Sequence, residues 1–115
     1  MTDDIAKDTQ EKINQLSMME QNMSSLVMQK QQLQQQLIEV ESALSEITSS
    51  EECYKIVGNV MLKIDPKKLE KELMDKKETC DLRIGAIDKQ QLKIKEKAAK
   101  TQAEVMDEIK EKKSK

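Results

Sequence analysis

The 115-residue chain contains no phenylalanine, no tryptophan and no histidine; Tyr54 is its one aromatic residue, Pro66 its one proline, and Gly58 and Gly85 its two glycines. Each scarcity excludes something. Compact cores lean on large aromatic side chains, and loop-rich domains need Gly and Pro at their turns. Without histidine the usual proton shuttle and commonest metal ligand is missing. Two isolated glycines make no phosphate-cradling loop. The many carboxylates are spread along solvated faces, so they assemble no catalytic or metal-binding constellation. The chain therefore reads as a non-enzyme with no metal and no cofactor.

Long apolar runs are missing too. A membrane span needs roughly 18 or more apolar residues in succession, and the acidic start Met1-Thr2-Asp3-Asp4 is unlike a secretory leader. Cys53 and Cys80 fit no metal or redox spacing. If Cys80 lies about fifteen residues into a helix, it stands roughly 20 Å along the axis from Cys53, whereas a disulfide needs Cα atoms within about 7 Å. Two free thiols in a cytoplasmic protein are expected.

What is present is Lys, Glu, Gln, Leu, Ile and Met, with 37% charged and 37% hydrophobic residues. That mixture suits long solvated helices with a narrow apolar seam. Disorder is the alternative for such a polar chain, and regular spacing argues against it. With position a at Leu16, the a series is Leu16, Met23, Lys30, Leu37, Leu44 and the d series Met19, Leu26, Leu33, Val40, Ile47. All but Lys30 are apolar, the pattern of a coiled coil. Glutamine-rich Gln29–Gln36 keeps Leu33 on the seam. The register weakens before Leu16, where Thr9 and Lys12 hold a and d. This predicts a first helix over about 4–49.

Thr48-Ser49-Ser50 ends the pattern, and a period of two follows. Cys53–Val57 and Val60–Ile64 are rich in β-branched residues and flank Gly58-Asn59. A Gly at the first central position reads as a type II′ hairpin over about 53–64. Both its faces are apolar, which leaves the register open by one residue. An isolated hairpin is marginal in water, and one pair of helices cannot cover two apolar faces, so other chains are expected to complete the sheet.

Asp65-Pro66 then opens a second helix over about 66–112, Asp as N-cap and Pro at the first helical position. Its d series is Leu73, Cys80, Ile87, Ile94, Thr101 and its a series Lys77, Ile84, Gln91, Ala98, Val105. Folding the chain at Gly58-Asn59 pairs Ile47 with Leu73, Val40 with Cys80 and Leu16 with Val105. Residues 1–52 carry ten acids against three lysines, a net −7, and residues 53–115 carry seventeen bases against twelve acids, a net +5. The arms therefore attract each other. Lysines alternating with acids, with no aromatics for stacking, argue against nucleic acid as a partner. Gly85, in mid-helix, reads either as drift on an exposed face or as a point where the arm bends.

The segment Glu52-Cys53-Tyr54-Lys55-Ile56-Val57-Gly58-Asn59-Val60-Met61-Leu62-Lys63-Ile64-Asp65, set between two heptad arms, resembles the β-type subunits of prefoldin, both archaeal prefoldin β and eukaryotic prefoldin subunit 6. One hairpin and a short chain suit the β type. The resemblance implies a single domain over 1–115, mainly α: a long antiparallel two-helix coiled coil joined by one β-hairpin. It further implies a hexamer of two α-type and four β-type subunits, or six distinct ones, whose hairpins join in an intersubunit β-barrel. Tyr54, Ile56, Val57, Val60, Met61, Leu62 and Ile64 would form that assembly interface. The family captures unfolded polypeptides at its coiled-coil tips without ATP and passes them to a group II chaperonin.

The tips would be the start of the first arm and the end of the second. Ile5, Ile13, Leu16, Met18, Met19, Met23, Val105, Met106 and Ile109 are the candidates for client binding there. Methionine adapts to many partners, and a seam weakened at Thr9, Lys12 and Thr101 is expected to splay. These residues otherwise serve a local seam or an intersubunit contact, and both readings stay open. The rival to the chaperone reading is a structural coiled-coil adaptor for one specific partner.

Overall fold

A computed structural model describes residues 6–47 and 52–113, without the side chains of 112 and 113. Four elements follow in order: α1 (Lys7–Ile47), β1 (Cys53–Val57), β2 (Val60–Ile64) and α2 (Pro66–Lys113). Residues 4, 5, 48 and 49, placed in the first helix by its periodicity, lie outside the described residues.

The heptad explains both helices. Every a and d position of α1 from Thr9 to Ile47 is buried or half-buried, as is every one of α2 from Leu73 to Glu108. Among the remaining described residues of α1 only Ile13 and Ala43 are withdrawn from water. The seam therefore does not fade before Leu16: Thr9 and Lys12 stay on it. The start of α2 follows from Asp65 and Pro66. The Asp65 side chain accepts a hydrogen bond from the Lys67 backbone N–H at 3.4 Å, satisfying one of the first-turn donors. Pro66 takes the position where a missing N–H costs nothing.

Between the helices, β1 and β2 pair antiparallel with Cys53 opposite Ile64, Tyr54 opposite Lys63, Lys55 opposite Leu62, Ile56 opposite Met61 and Val57 opposite Val60. This fixes the register that two apolar faces left open. Gly58 has φ +60°, and no non-glycine residue among those described has positive φ. Positive φ at the first central residue alone makes the turn type II′.

The chain forms two compact units. One, here the hairpin unit, spans Lys30–Ala86; the other, the terminal unit, pairs the segment ending at Gln29 with that beginning at Ile87. In the hairpin unit the two helical segments run antiparallel: Lys77 Nζ lies 3.8 Å from a Glu41 carboxylate oxygen, and Cys80 Sγ lies 3.8 Å from Gln36 Oε1. Its core is Val40, Ile47, Cys53 and Cys80, all buried. In the terminal unit the segments again run antiparallel, with Lys12 against Glu104 and Glu108, and Asn22 to Gln29 lining one groove with Gln90 to Ile94. Ile87 and Val105 are its buried apolar residues, joined by the buried threonines Thr9 and Thr101. Both cysteines are free, as their separation predicted, and both are buried.

Candidate assembly and client-binding surfaces

The hairpin register sorts its side chains onto two faces, because neighbours along a strand point to opposite sides. Cys53, Lys55, Val57, Val60, Leu62 and Ile64 share one face, and Tyr54, Ile56, Met61 and Lys63 share the other. The first face is turned towards α2: Lys55 Nζ reaches Glu72 at 3.0 Å, Cys53 is buried and Ile64 half-buried. The second carries a polar edge, where Tyr54 Oη donates to Glu52 at 3.1 Å and Lys63 lies 3.6 Å from the same carboxylate. Beside it stand Ile56, 69% exposed, and Met61, 64% exposed. Tyr54, Val57, Val60 and Leu62 are exposed as well.

Of the seven residues that the sequence assigns to an assembly interface, then, six are exposed large apolar or aromatic side chains on one short sheet, and Ile64 is half-covered. Fully burying an apolar side chain of this size contributes about 1.5–3 kcal/mol. With half or more of each surface still in water, a partner has on the order of 1 kcal/mol to gain at each. Two strands alone are marginal. The sheet is thus built to be covered, and it presents free edges besides.

The terminal unit is different. Met18 and Met106 are exposed, while Ile13, Leu16, Met19, Met23 and Ile109 are half-buried and Val105 is buried on the seam. Ile5 lies outside the described residues. In the structure the seam at Thr9, Lys12 and Thr101 is closed. Thr9 is only 3% exposed and Thr101 is buried. Lys12 Nζ bridges two acids, 3.2 Å from both carboxylate oxygens of Glu108 and 3.4 Å from Glu104. The seam is closed by charge where it lacks apolar residues.

This cluster escaped the sequence reading, although a signal for it exists. Continuing the d series of α2 beyond Thr101 by seven reaches Glu108, and the mirror register that pairs Val40 with Cys80 pairs Lys12 with Glu108. The Glu108 carboxylate, by its hydrogen bond, raises the Lys12 ammonium above the ordinary lysine pKa; burial opposes this, and Glu104 adds to it. A raised lysine pKa means the pairing supports the fold fully below the ordinary lysine value and is lost as pH rises through the folded one.

An open groove of about 390 Å³ also lies in the terminal unit, lined by Asn22, Ser25, Leu26, Gln29, Gln90, Lys93 and Ile94. Lys93 is its one titratable group, so it pairs no acid with a base. Among the described residues no group of three or more His, Cys, Asp or Glu is placed to hold a metal ion. No described helix is long and apolar enough to cross a membrane.

Comparison with known proteins bears on which assembly this hairpin serves. A family model described as prefoldin subunit matches residues 10–112. The chain belongs to the prefoldin subunit family. Prefoldin subunit beta of Thermococcus onnurineus is 36% identical over 96 residues, covering 81% of this chain and 83% of the relative. That of Archaeoglobus fulgidus is 33% identical over 93 residues, covering 78% and 80%. The crystal structure of the prefoldin beta subunit from Thermococcus strain KS-1 is similar with a TM-score of 0.82 at 32% identity, covering 91% of this chain and 95% of that one. The two helices joined by a single hairpin are the prefoldin β fold.

Proposed function

We propose that the chain works over its whole length as one β-type domain, a non-catalytic subunit of an ATP-independent prefoldin chaperone in the cytoplasm. Its hairpin would join those of α-type and other β-type prefoldin subunits in a β-barrel, in a hexamer of two α and four β subunits or of six distinct ones. The observation that carries this is the hairpin itself: Tyr54, Ile56, Val57, Val60, Met61 and Leu62 are exposed together on a two-stranded sheet. Family membership supplies the kind of partner.

The terminal unit is the surface offered to unfolded chains. Exposed Met18 and Met106 make first contact, and Ile13, Leu16, Met19, Met23, Val105 and Ile109 follow as the seam loosens. Flexible, polarizable methionines fit many partners with little preference among them. A group II chaperonin receives the client. The alternative, a structural adaptor for one partner, draws support from the closed seam, which leaves most of those residues half-covered.

Co-expression with an α-type prefoldin subunit separates the two. The chaperone reading expects a complex of about six chains that suppresses aggregation of an unfolded protein without ATP. A discrete dimer with no such protection would overturn it and favour the adaptor. Removing residues 1–18 and 104–115 should leave the complex intact and abolish protection; full protection after the deletion would show that clients bind elsewhere.

A further inference from the structure

Lys12 and Glu108 both occupy d positions, where the seams elsewhere carry Leu, Ile or Val, or Met19, Cys80 and Thr101, and no other charge. Lys12 is only 30% exposed at its side chain, and its ammonium is shared between Glu108 and Glu104. Of the seam positions nearby, Thr9 before Lys12 in α1 and Thr101 in α2 are polar and buried, while Leu16 and Val105 are apolar. Among the described residues, no buried side-chain polar atom lacks a partner. This end of the terminal unit is therefore closed by charge at Lys12 and by apolar burial at Val105 beside it.

Such closure is conditional in a way an apolar seam is not. Ion pairs near the surface weaken as salt screens them, whereas apolar contacts do not. Glu104 and Glu108 stand four residues apart on one helix face, a spacing at which like charges repel. Lys12 relieves that repulsion while it sits between them, and its departure restores it. Val105 lies on the seam between the two acids in sequence, buried only while the segments stay together.

We propose that Lys12, Glu104 and Glu108 form an electrostatic latch that holds the terminal seam shut over Val105 and Leu16 and releases it locally while the remaining seam stays paired. Its use, exposing apolar surface to a client, rests on the reading of the terminal unit given above. Its opening does not, and can be measured without any client.

Hydrogen exchange of the full-length chain, in complex with its partner subunits, tests the latch. Salt is raised from about 0.01 M to about 1 M, which shortens the Debye length from about 30 Å to about 3 Å. Amides of residues 8–16 and 101–109 should then exchange several-fold faster, with those of residues 36–44 and 76–84 unchanged. Lys12→Met, which places an apolar side chain at the d position, should exchange slowly at every salt concentration. Lys12→Glu should exchange fast at every one. Combining Lys12→Glu with Glu104→Lys and Glu108→Lys should restore the wild-type salt response. If Lys12→Met keeps that response, or the triple reversal fails to restore it, the latch is overturned. Should Lys12→Met abolish the response yet protect a client as well as wild type, the latch stands and the client-binding reading of this unit falls.

Discussion

The hairpin unit and the terminal unit answer the same shortage of aromatic residues in opposite ways. The hairpin unit leaves six large side chains in water on ten strand residues, including Ile56 and Met61 on one face and Val57, Val60 and Leu62 on the other. The terminal unit withdraws most of its large apolar residues from water, chiefly on the seam, and leaves Met18, Val27, Met28, Leu92 and Met106 exposed. The first is a permanent surface, half of it the stiff β-branched side chains Ile56, Val57 and Val60, which suits a fixed partner of fixed shape. The second is a covered seam with a few flexible side chains beside it, which suits partners of no fixed shape. Apolar content alone would not separate them; its rigidity and coverage do.

The largest way to break that contrast is at the hairpin. Ile56→Asp with Leu62→Asp puts a charge on each face, and the assembly with other prefoldin subunits should be lost by mass measurement while helical content by circular dichroism persists. A complex of normal mass from this variant would sink the idea that the hairpin is the assembly surface. Next comes a paired comparison of isoleucines in the unassembled chain. Ile87 is buried, and Ile87→Ala should cost about 2–5 kcal/mol of unfolding free energy. Ile56 is 69% exposed, so Ile56→Ala should fall within about 0.5 kcal/mol. Equal losses in denaturant titrations would mean the hairpin side chain is already covered by its own chain. Smaller again is Met18→Gln with Met106→Gln, expected to leave assembly intact and weaken protection of an aggregating client several-fold. Undiminished protection would remove the exposed methionines from the client surface.

How much of this was legible beforehand differs by element. The helices were, because a period of seven is carried by many residues at once and Lys30 alone breaks the apolar seam of α1 from Leu16 to Ile47. The turn was, because Gly58-Asn59 between β-branched runs has few other uses. The strand register was not legible from alternation, which specifies register only when one face is polar, and Ile56, Val57, Val60, Met61 and Leu62 are apolar on both; the two-residue turn alone sets Val57 opposite Val60. The closed state of the terminal unit was legible only from the two arms taken together. Polar residues at Thr9, Lys12 and Thr101 read as weakness when each arm is taken singly. Once Glu104 and Glu108 are brought opposite Lys12 its charge is paired, and both threonines are buried on a closed seam. A pairing between two polar positions far apart in sequence leaves no hydrophobic trace on either.

A last comparison concerns the two glycines, which look alike in the sequence and differ in what they do. A Cβ added at either would meet no atom within 4 Å, so neither is held by packing. Gly58, however, has φ +60°, a conformation that costs an L side chain about 1–2 kcal/mol. Gly58→Ala should lower stability by that amount and loosen the turn that sets the hairpin register. Gly85 lies in α2 without positive φ, so Gly85→Ala should instead stabilise the helix by about 0.8–1.0 kcal/mol, the difference in helix propensity. A rise of a few degrees in melting temperature with unchanged client protection would leave Gly85 as tolerated drift. A rise in melting temperature with weakened protection would mark it as a point where α2 must bend to do its work. A fall in melting temperature would mean that this position, open though its surroundings are, tolerates no side chain at all.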